Sequence, residues 1–564
     1  MIGHYVNDSG VLCRCNAKGT EVCIADFRVE VDKVKIYLDI DGNECSRGYC
    51  VRYYTDKFIG CDEISSEHLE KYDYSAYSPE LLLSPVVKSA AKEVAYYIYS
   101  EAKKAPTESI IRFERLGWHR KADGTYYYCA GDTVISADMS TDIAIAPALS
   151  NKFRLEIDDS LEEATAADRA LCHASIDGEY SSVIFATGIL GLIRQLILDA
   201  DIKPPSIIYL VGNSQSRKTS LSKLCCLMYN RSRLQSDSNT GISRISSSEA
   251  KTEALTDEYK DAAYIVDDLY ATPDSKVKRE NERRLRNVIR NYADNSPRQT
   301  MHGGYQNSAQ ILVTGEYLLN TKTDVGRCFV IKVNRQINSA ALAKYQNQPL
   351  VLSTAYFYFI KWLCTHYDET VEKLRQGFAQ MRRETYAHKI GYERLYEQAF
   401  LLDFAFGLFC DYAVKAGGIE QSVCEKAKRT FGEITTSAVE FQGEIMKNLE
   451  RKETTQINYS KELVQLLREE YIILGKKGSR CFRKKNHIYI TCNYLTDVLY
   501  EKHGLRVTSK AVTKYFSDRH INEKDGDKNV VKYGEAGKRY LVLDESRLAQ
   551  DAQSLEAEIE SLFR

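Results

Sequence analysis

Residues 211–221 read VGNSQSRKTSL and follow the apolar run SIIYL at 206–210. An apolar strand that leads into a Gly-led loop and then Lys-Thr comes close to the phosphate-binding pattern G-x-x-x-x-G-K-[ST]. Gly212 supplies the first glycine, Asn213, Ser214, Gln215 and Ser216 fill the variable positions, and Lys218, Thr219 and Ser220 close the loop. The second glycine is missing, and Arg217 stands in its place. Glycine is favoured there because the loop turns tightly; a side chain is tolerated where it points outward from ordinary backbone angles. A strand, a loop and a helix in this order bring backbone N–H groups and a helix N-terminus to one point, which suits an anion. Lys218 is then placed to reach the β- and γ-phosphates of a nucleotide, and the Thr219 hydroxyl to hold Mg2+. Taken alone, the loop is equally a chance match in a serine-rich turn.

What lies downstream narrows the choice. About fifty residues on, the strand AAYIV ends in Asp267 and Asp268. In a phosphate-binding protein Asp267 holds Mg2+ through water, and Asp268 orients or deprotonates the attacking water. Two acids after a buried strand also serve as turn residues and helix caps. The strand SAQILVTGE carries Thr314 at its tip, where a polar side chain beside the acids can hold the lytic water. GRCFVIKV then puts Arg327 just before a strand, placed either to reach the γ-phosphate of a neighbouring subunit or to sit solvated at a strand edge.

The whole chain sets the bounds. Its 564 residues exceed a single core, and three or four domains are expected. The net charge of −1 excludes a global basic field for nucleic acid, so any such surface is local. The sixteen cysteines are scattered with no C-x-x-C pair. Cys13, Cys15 and Cys23 are the tightest cluster and lack the second pair of a zinc module, so free thiols in a reducing cytosol are expected. The first residues, MIGHYVNDSG, carry no signal pattern, and the apolar stretch Ser182–Leu198 is broken by Arg194 and Gln195. A cytoplasmic protein without membrane spans is therefore expected.

Residues 1–150 are rich in short alternating runs such as VCIADFRVEV and KVKIYLDI, with Asp-Gly turns, and a helix near 85–105. From about 175 to 335, helices alternate with continuous apolar strands, the mark of a sheet covered on both faces. From about 340 to 450 nearly everything is helical, with Gly417-Gly418 ending the helix that starts near YERLYEQAF, and a polar stretch follows.

In this order the loop, paired acids, polar strand tip and arginine resemble the AAA+ ATPases of mobile genetic elements. Those include the self-loading, minichromosome-maintenance-like helicases of staphylococcal cassette chromosomes and pathogenicity islands, and related phage and plasmid ATPases. LGWHR at 116–120 with DGTYYYCAGDTVIS after it, and the run from YIVDD through NSPRQT to ILVTGEYL, carry the resemblance along most of the chain. The paired acids are also similar to those of viral superfamily 3 helicases. The resemblance implies a multidomain α/β chain with a β-rich N-terminal domain (1–150), a P-loop core on a parallel sheet (151–337) and a helical lid (338–452), and 453–564 as its last domain. It implies ATP between the subunits of a homo-oligomeric ring, a hexamer in form, with single-stranded DNA in the pore. Arg298 would lie near the active site or subunit interface. MHGGY at 301–305 would form the pore hairpin, with His302 on the DNA backbone, although a turn residue beside Gly303-Gly304 is the plainer reading. Arg394 is the candidate lid arginine for the nucleotide, in competition with Arg382 and Arg383. Arg217 departs from the family pattern and bears on the rate of hydrolysis more than on binding.

Residues 459–548 read as helix, short strand (HIYITC), two helices and a two-stranded ribbon, the order of a winged helix. Thr508 suits the N-cap of the third helix, whose Lys510 and Lys514 can face a groove in duplex DNA. Residues 471–540 hold 16 Lys/Arg against 7 Asp/Glu, about +9. That fits phosphate binding, or a solvated face on a protein-docking module. The reading is an ATP-driven DNA helicase or translocase in the replication of a mobile element. The rivals are a DNA-binding regulator that keeps ATP as a structural ligand, and a AAA+ remodeller of proteins in transposition or phage defence.

Overall fold

Continuous runs of aliphatic residues can be buried on both faces of a sheet, and four of them do so here. The computed structural model describes residues 4–16, 18–139, 143–204, 206–234, 241–293, 298–300, 303–305, 307–387, 392–454, 458–505, 507–524, 526, 528–533 and 538–552. Strands Ile207–Gly212, Ala263–Leu269, Gln310–Gly315 and Cys328–Val333 join the short Ile242–Arg244 in one parallel sheet. Across the sheet the order is 242–244, 263–269, 310–315, 207–212, 328–333. The strand ending near Thr314 thus lies between the loop-bearing strand and the acid-bearing strand. Because every strand runs the same way, all C-terminal ends meet at one edge, where ligands bind in open α/β sheets.

Helices Glu179–Leu192 and Lys218–Cys226 pack on this sheet. Gly191 lets the first approach closely: a Cβ there would lie 2.6 Å from the Ala263 backbone nitrogen. The apolar stretch at 182–198 is this buried helix followed by a second, Arg194–Asp199. Buried Arg194, which interrupts the run, donates to the Tyr292 hydroxyl at 2.9 Å and to the Asn307 carbonyl at 3.0 Å. Among the described residues no helix is long and apolar enough to cross a membrane.

The chain divides into two units, Met1–Leu449 and Glu450–Arg564. In the first, the N-terminal residues form a three-stranded antiparallel sheet (His4–Val6, Leu12–Cys15, Glu21–Ala25) and a five-stranded sheet with helix Ala90–Ala102 against it. They share a core of their own around Phe27, Tyr53 and Ile98. The segment 117–135 forms a small antiparallel sheet that joins the main core through Trp118, whose indole donates to the Leu192 carbonyl at 2.7 Å. Long helices Leu350–Ala387, Glu393–Lys415 and Gln421–Thr454 follow the parallel sheet. Gln442, on the last of them, is fully buried and seals the sheet's edge strand. Its amide accepts from Val330 N–H and donates to the Val325 and Cys328 carbonyls.

The second unit contains helices Tyr459–Arg468, Cys492–His503 and Ser509–Asp518 with a four-stranded antiparallel sheet. One strand more is present than the periodicity predicts. Cys481–Lys484 pairs with His487–Ile490 as a hairpin, turning at Lys485, whose φ is +52°. Two basic residues at the end of Cys481–Lys484 hide its alternation. Thr508 caps helix Ser509–Asp518 by accepting from Ala511 N–H. Lys510 and Lys514 are exposed one turn apart, opposite buried Val512 and Phe516.

Candidate active site

The loop begins at Gly212, which faces Val333 across adjacent strands. A Cβ at Gly212 would sit 2.5 Å from the Val333 carbonyl oxygen, so this glycine is required by the neighbouring strand. Gln215 and Arg217 both have left-handed backbones, with φ of 61° and 63°. The tolerance of Arg217 therefore does not rest on ordinary angles. It keeps the conformation for which glycine is usual, at a cost of roughly 1–2 kcal/mol, while its side chain is exposed.

Arg217 leads directly into helix Lys218–Cys226. The Lys218 side chain is buried and folds back over the loop. Its ammonium donates to the Gly212 and Asn213 carbonyls at 2.8 Å each and to the Ser216 hydroxyl at 2.9 Å. Burial lowers its pKa, against the opposing pull of Glu316, Asp267 and Asp268. A cation at a helix N-terminus stands at the positive end of the dipole and is unfavourable unless an anion joins it. Loop amides, helix end and ammonium together fit a polyphosphate.

Three chain segments meet beside Lys218. The Thr219 hydroxyl donates to Asp267 Oδ1 at 2.7 Å, and the Thr314 hydroxyl donates to the same oxygen. Asp268 N–H in turn donates to Thr314 Oγ1 at 3.4 Å. The strand order explains this meeting, since the tips of adjacent strands 310–315 and 263–269 lie side by side. The ladder between them slips between Val266 and Leu269, and Asp268 has a φ of +75° at that irregularity. Such local strain is concentrated at functional sites. Partial burial, and then Asp267, raise the Asp268 carboxyl above the usual range, with Arg244 acting against them. A hydroxyl and a carboxylate in contact, Thr219 and Asp267, are oxygen donors of the kind a hard divalent cation takes.

Glu316 and Arg244 escaped the sequence reading. Glu316 accepts from Ala271 N–H at 2.8 Å and bears on both Lys218 and Asp268. Its signal was the second polar tip residue in TGE. Arg244 pairs in register with Asp267 from a three-residue strand, too short to carry a pattern.

The other predicted residues are not gathered here. Arg327 is at the opposite edge of the sheet: its carbonyl accepts from Ile207 N–H, at the start of the strand whose far end is Gly212. Five residues at about 3.3 Å each put that point roughly 17 Å from the loop. Arg327 Nη1 donates to the Thr323 carbonyl at 3.2 Å. Arg394 is exposed in the first turn of helix Glu393–Lys415. Its competitor Arg382 is paired with Glu397 and lies over the Phe378 ring. Arg298 starts a strand that pairs with Gly303–Tyr305. His302 lies outside the described residues.

No protein-family model matches the chain, and no curated protein matches it. Among solved structures, the chain is similar to one described as "SCCmec type IV Cch - active helicase". The fold is shared end to end. The two are 13% identical with a TM-score of 0.52, over 97% of this chain and 99% of that one. A structure described as "The X-ray structure of JCV Helicase" aligns over 38% of this chain and 59% of its own at 12% identity, with a TM-score of 0.24 that is too low to bear on the fold.

Proposed function

We propose that this chain is an ATP-dependent DNA helicase or translocase that works as a homo-oligomeric ring, a hexamer by resemblance, in the replication of a mobile genetic element. The observation that carries the reading is the shared Asp267 oxygen, on which Thr219 from the loop helix and Thr314 from the intervening strand converge beside Lys218. The loop from Gly212 to Ser220 would hold the phosphates of ATP, with Lys218 turning from its carbonyl partners towards them. Thr219 and Asp267 would hold Mg2+, which when bound neutralises phosphate charge. Asp268, with its raised pKa, accepts the proton of the attacking water, and Thr314 fixes the position of both acids. Some 17 Å separate the Arg327 backbone from the loop of its own chain, so Arg327 serves the site of a neighbouring copy.

The domain scheme follows the same reading: 1–150 as a β-rich N-terminal domain, 151–337 as the AAA+ core, 338–452 as the lid carrying Arg394, and 453–564 as a winged helix. In that last domain Lys510 and Lys514 face duplex DNA, while in the core His302 contacts the single strand in the pore. End-to-end similarity of fold to a helicase chain supports the scheme.

The test is ATP hydrolysis with and without DNA, beside a strand-displacement assay. Wild-type protein hydrolyses ATP faster with DNA and separates strands. The folded Lys218→Ala variant loses both activities and binds nucleotide at least about 10-fold more weakly, since a charge-assisted contact contributes about 1.5–3 kcal/mol. Turnover in that variant equal to wild type would sink the site. Nucleotide binding without hydrolysis would favour the regulator instead.

A further inference from the structure

The N-terminal three-stranded sheet brings together side chains that are far from the loop and unused by it. Cys13 and Cys23 are directly opposed in register, as are Cys15 and Glu21. Tyr5, on the first strand, faces Cys13 on the middle one. Alternation along a strand sends residues two apart to the same face, so Tyr5, Cys13, Cys15, Glu21 and Cys23 share one face. The thiols of Cys13 and Cys23 stand 3.5 Å apart. Their sulfurs and a Glu21 carboxylate oxygen all lie within 4.8 Å of one another.

We propose that Cys13, Cys23 and Glu21 form a binding site for a borderline-soft divalent cation of the zinc class. Two thiolates on tetrahedral zinc at 2.3 Å are about 3.8 Å apart, so the observed sulfur pair needs to open by only a few tenths of an ångström. The third donor is already oriented. Tyr5 Oη donates to one Glu21 oxygen at 2.6 Å and Asn7 Nδ2 to the other at 2.9 Å. Hydrogen bonds that fix a ligating carboxylate are a regular part of metal sites. Cys13 is buried while Cys23 and Glu21 are exposed, which leaves the cation a path from solvent. Cys15 pairs in register with Glu21 but is not one of the clustered donors, so the fourth position is left to solvent. Each thiol must lose its proton to ligate, so binding releases protons. The sequence reading discarded these cysteines for want of a second Cys pair; the missing donor is a carboxylate supplied across the strand.

The full-length chain is reduced, freed of metal and titrated with Co2+. The expected result is one equivalent bound with thiolate-to-cobalt absorption in the near ultraviolet, displaced by one equivalent of Zn2+. Cys13→Ser and Cys23→Ser should each weaken Co2+ binding at least about 100-fold. Glu21→Gln, which keeps the shape of the side chain, should weaken it about 10-fold. Far-ultraviolet circular dichroism of each variant separates lost binding from lost folding. The proposal is overturned if the reduced wild-type chain shows no such absorption, or if the Cys13→Ser/Cys23→Ser double variant keeps the wild-type band through its other thiols. A Cys13–Cys23 disulfide found by peptide mapping, together with no band after reduction, would make the pair a redox couple instead.

Discussion

Thr314→Val tests whether the convergence on Asp267 is a working part of the site. Thr314 is buried, and its hydroxyl both donates to Asp267 and accepts from Asp268 N–H. Valine keeps the volume and branching, so packing survives while both hydrogen bonds go. A hydrogen bond to a charged group contributes about 1.5–3 kcal/mol, and at 1.36 kcal/mol per factor of ten its loss corresponds to roughly 10- to 150-fold in turnover. The lower part of that range, about 10- to 50-fold, is expected, because Thr219 still donates to Asp267 and the carboxylate is not orphaned. Nucleotide affinity should stay within about 3-fold, since the contacts of Lys218 with Gly212, Asn213 and Ser216 are untouched. Thr314→Ser restores the hydroxyl and should recover most of the rate. Steady-state hydrolysis with saturating DNA gives turnover, and titration with a fluorescent nucleotide gives affinity. Turnover of Thr314→Val within 2-fold of wild type would refute the role. An equal loss of affinity and rate would show that Thr314 shapes the loop and not the acids.

Arg217→Gly relieves a left-handed backbone but adds flexibility to the open loop, so the net gain stays below about 1 kcal/mol. Turnover within about 3-fold of wild type is expected from an exposed side chain; a loss beyond 10-fold would show that the guanidinium itself acts on the phosphates. Asp268→Asn should abolish hydrolysis without loss of thermal stability. A carboxyl whose pKa is raised on folding destabilises the fold as pH climbs from its ordinary value through the raised one, and the amide removes that penalty. In the wild type, turnover should accordingly fall as pH drops through the raised Asp268 pKa, and the residual turnover of Asp267→Asn should show that limb at lower pH. A rate flat across this range rejects Asp268 as the base. Arg327→Ala should lose turnover and keep nucleotide binding, and mixing it with Lys218→Ala should restore part of the rate; no rescue in demonstrably mixed rings argues against action between copies.

Much of the site was legible because its parts are local. Gly212, Lys218 and Thr219 sit in a loop whose chemistry is written in consecutive residues, and Asp267, Asp268 and Thr314 end apolar runs long enough to name as strands. Glu316 was missed because one more polar residue past a strand tip carries no period. Outside the site, Arg231 is fully buried, with its guanidinium on the nearby Leu224 and Leu227 carbonyls and on that of Pro349, which lies far along the chain.

The sequence by itself determined which residues end the strands, that the strands are buried on both faces, and that a basic module closes the chain, since period, apolarity and charge are properties of short windows. Only the tertiary structure decided that the Thr314 strand lies between the other two, that Thr219 and Thr314 share one oxygen of Asp267, and that Arg327 lies at the end of the sheet opposite its own loop. Strand order and register are set by non-local packing, and no window of sequence contains them. The same holds for Cys13, Glu21 and Cys23, separated by turns along the chain and joined across two strands, and for Arg217, whose left-handed backbone is imposed by the loop it closes.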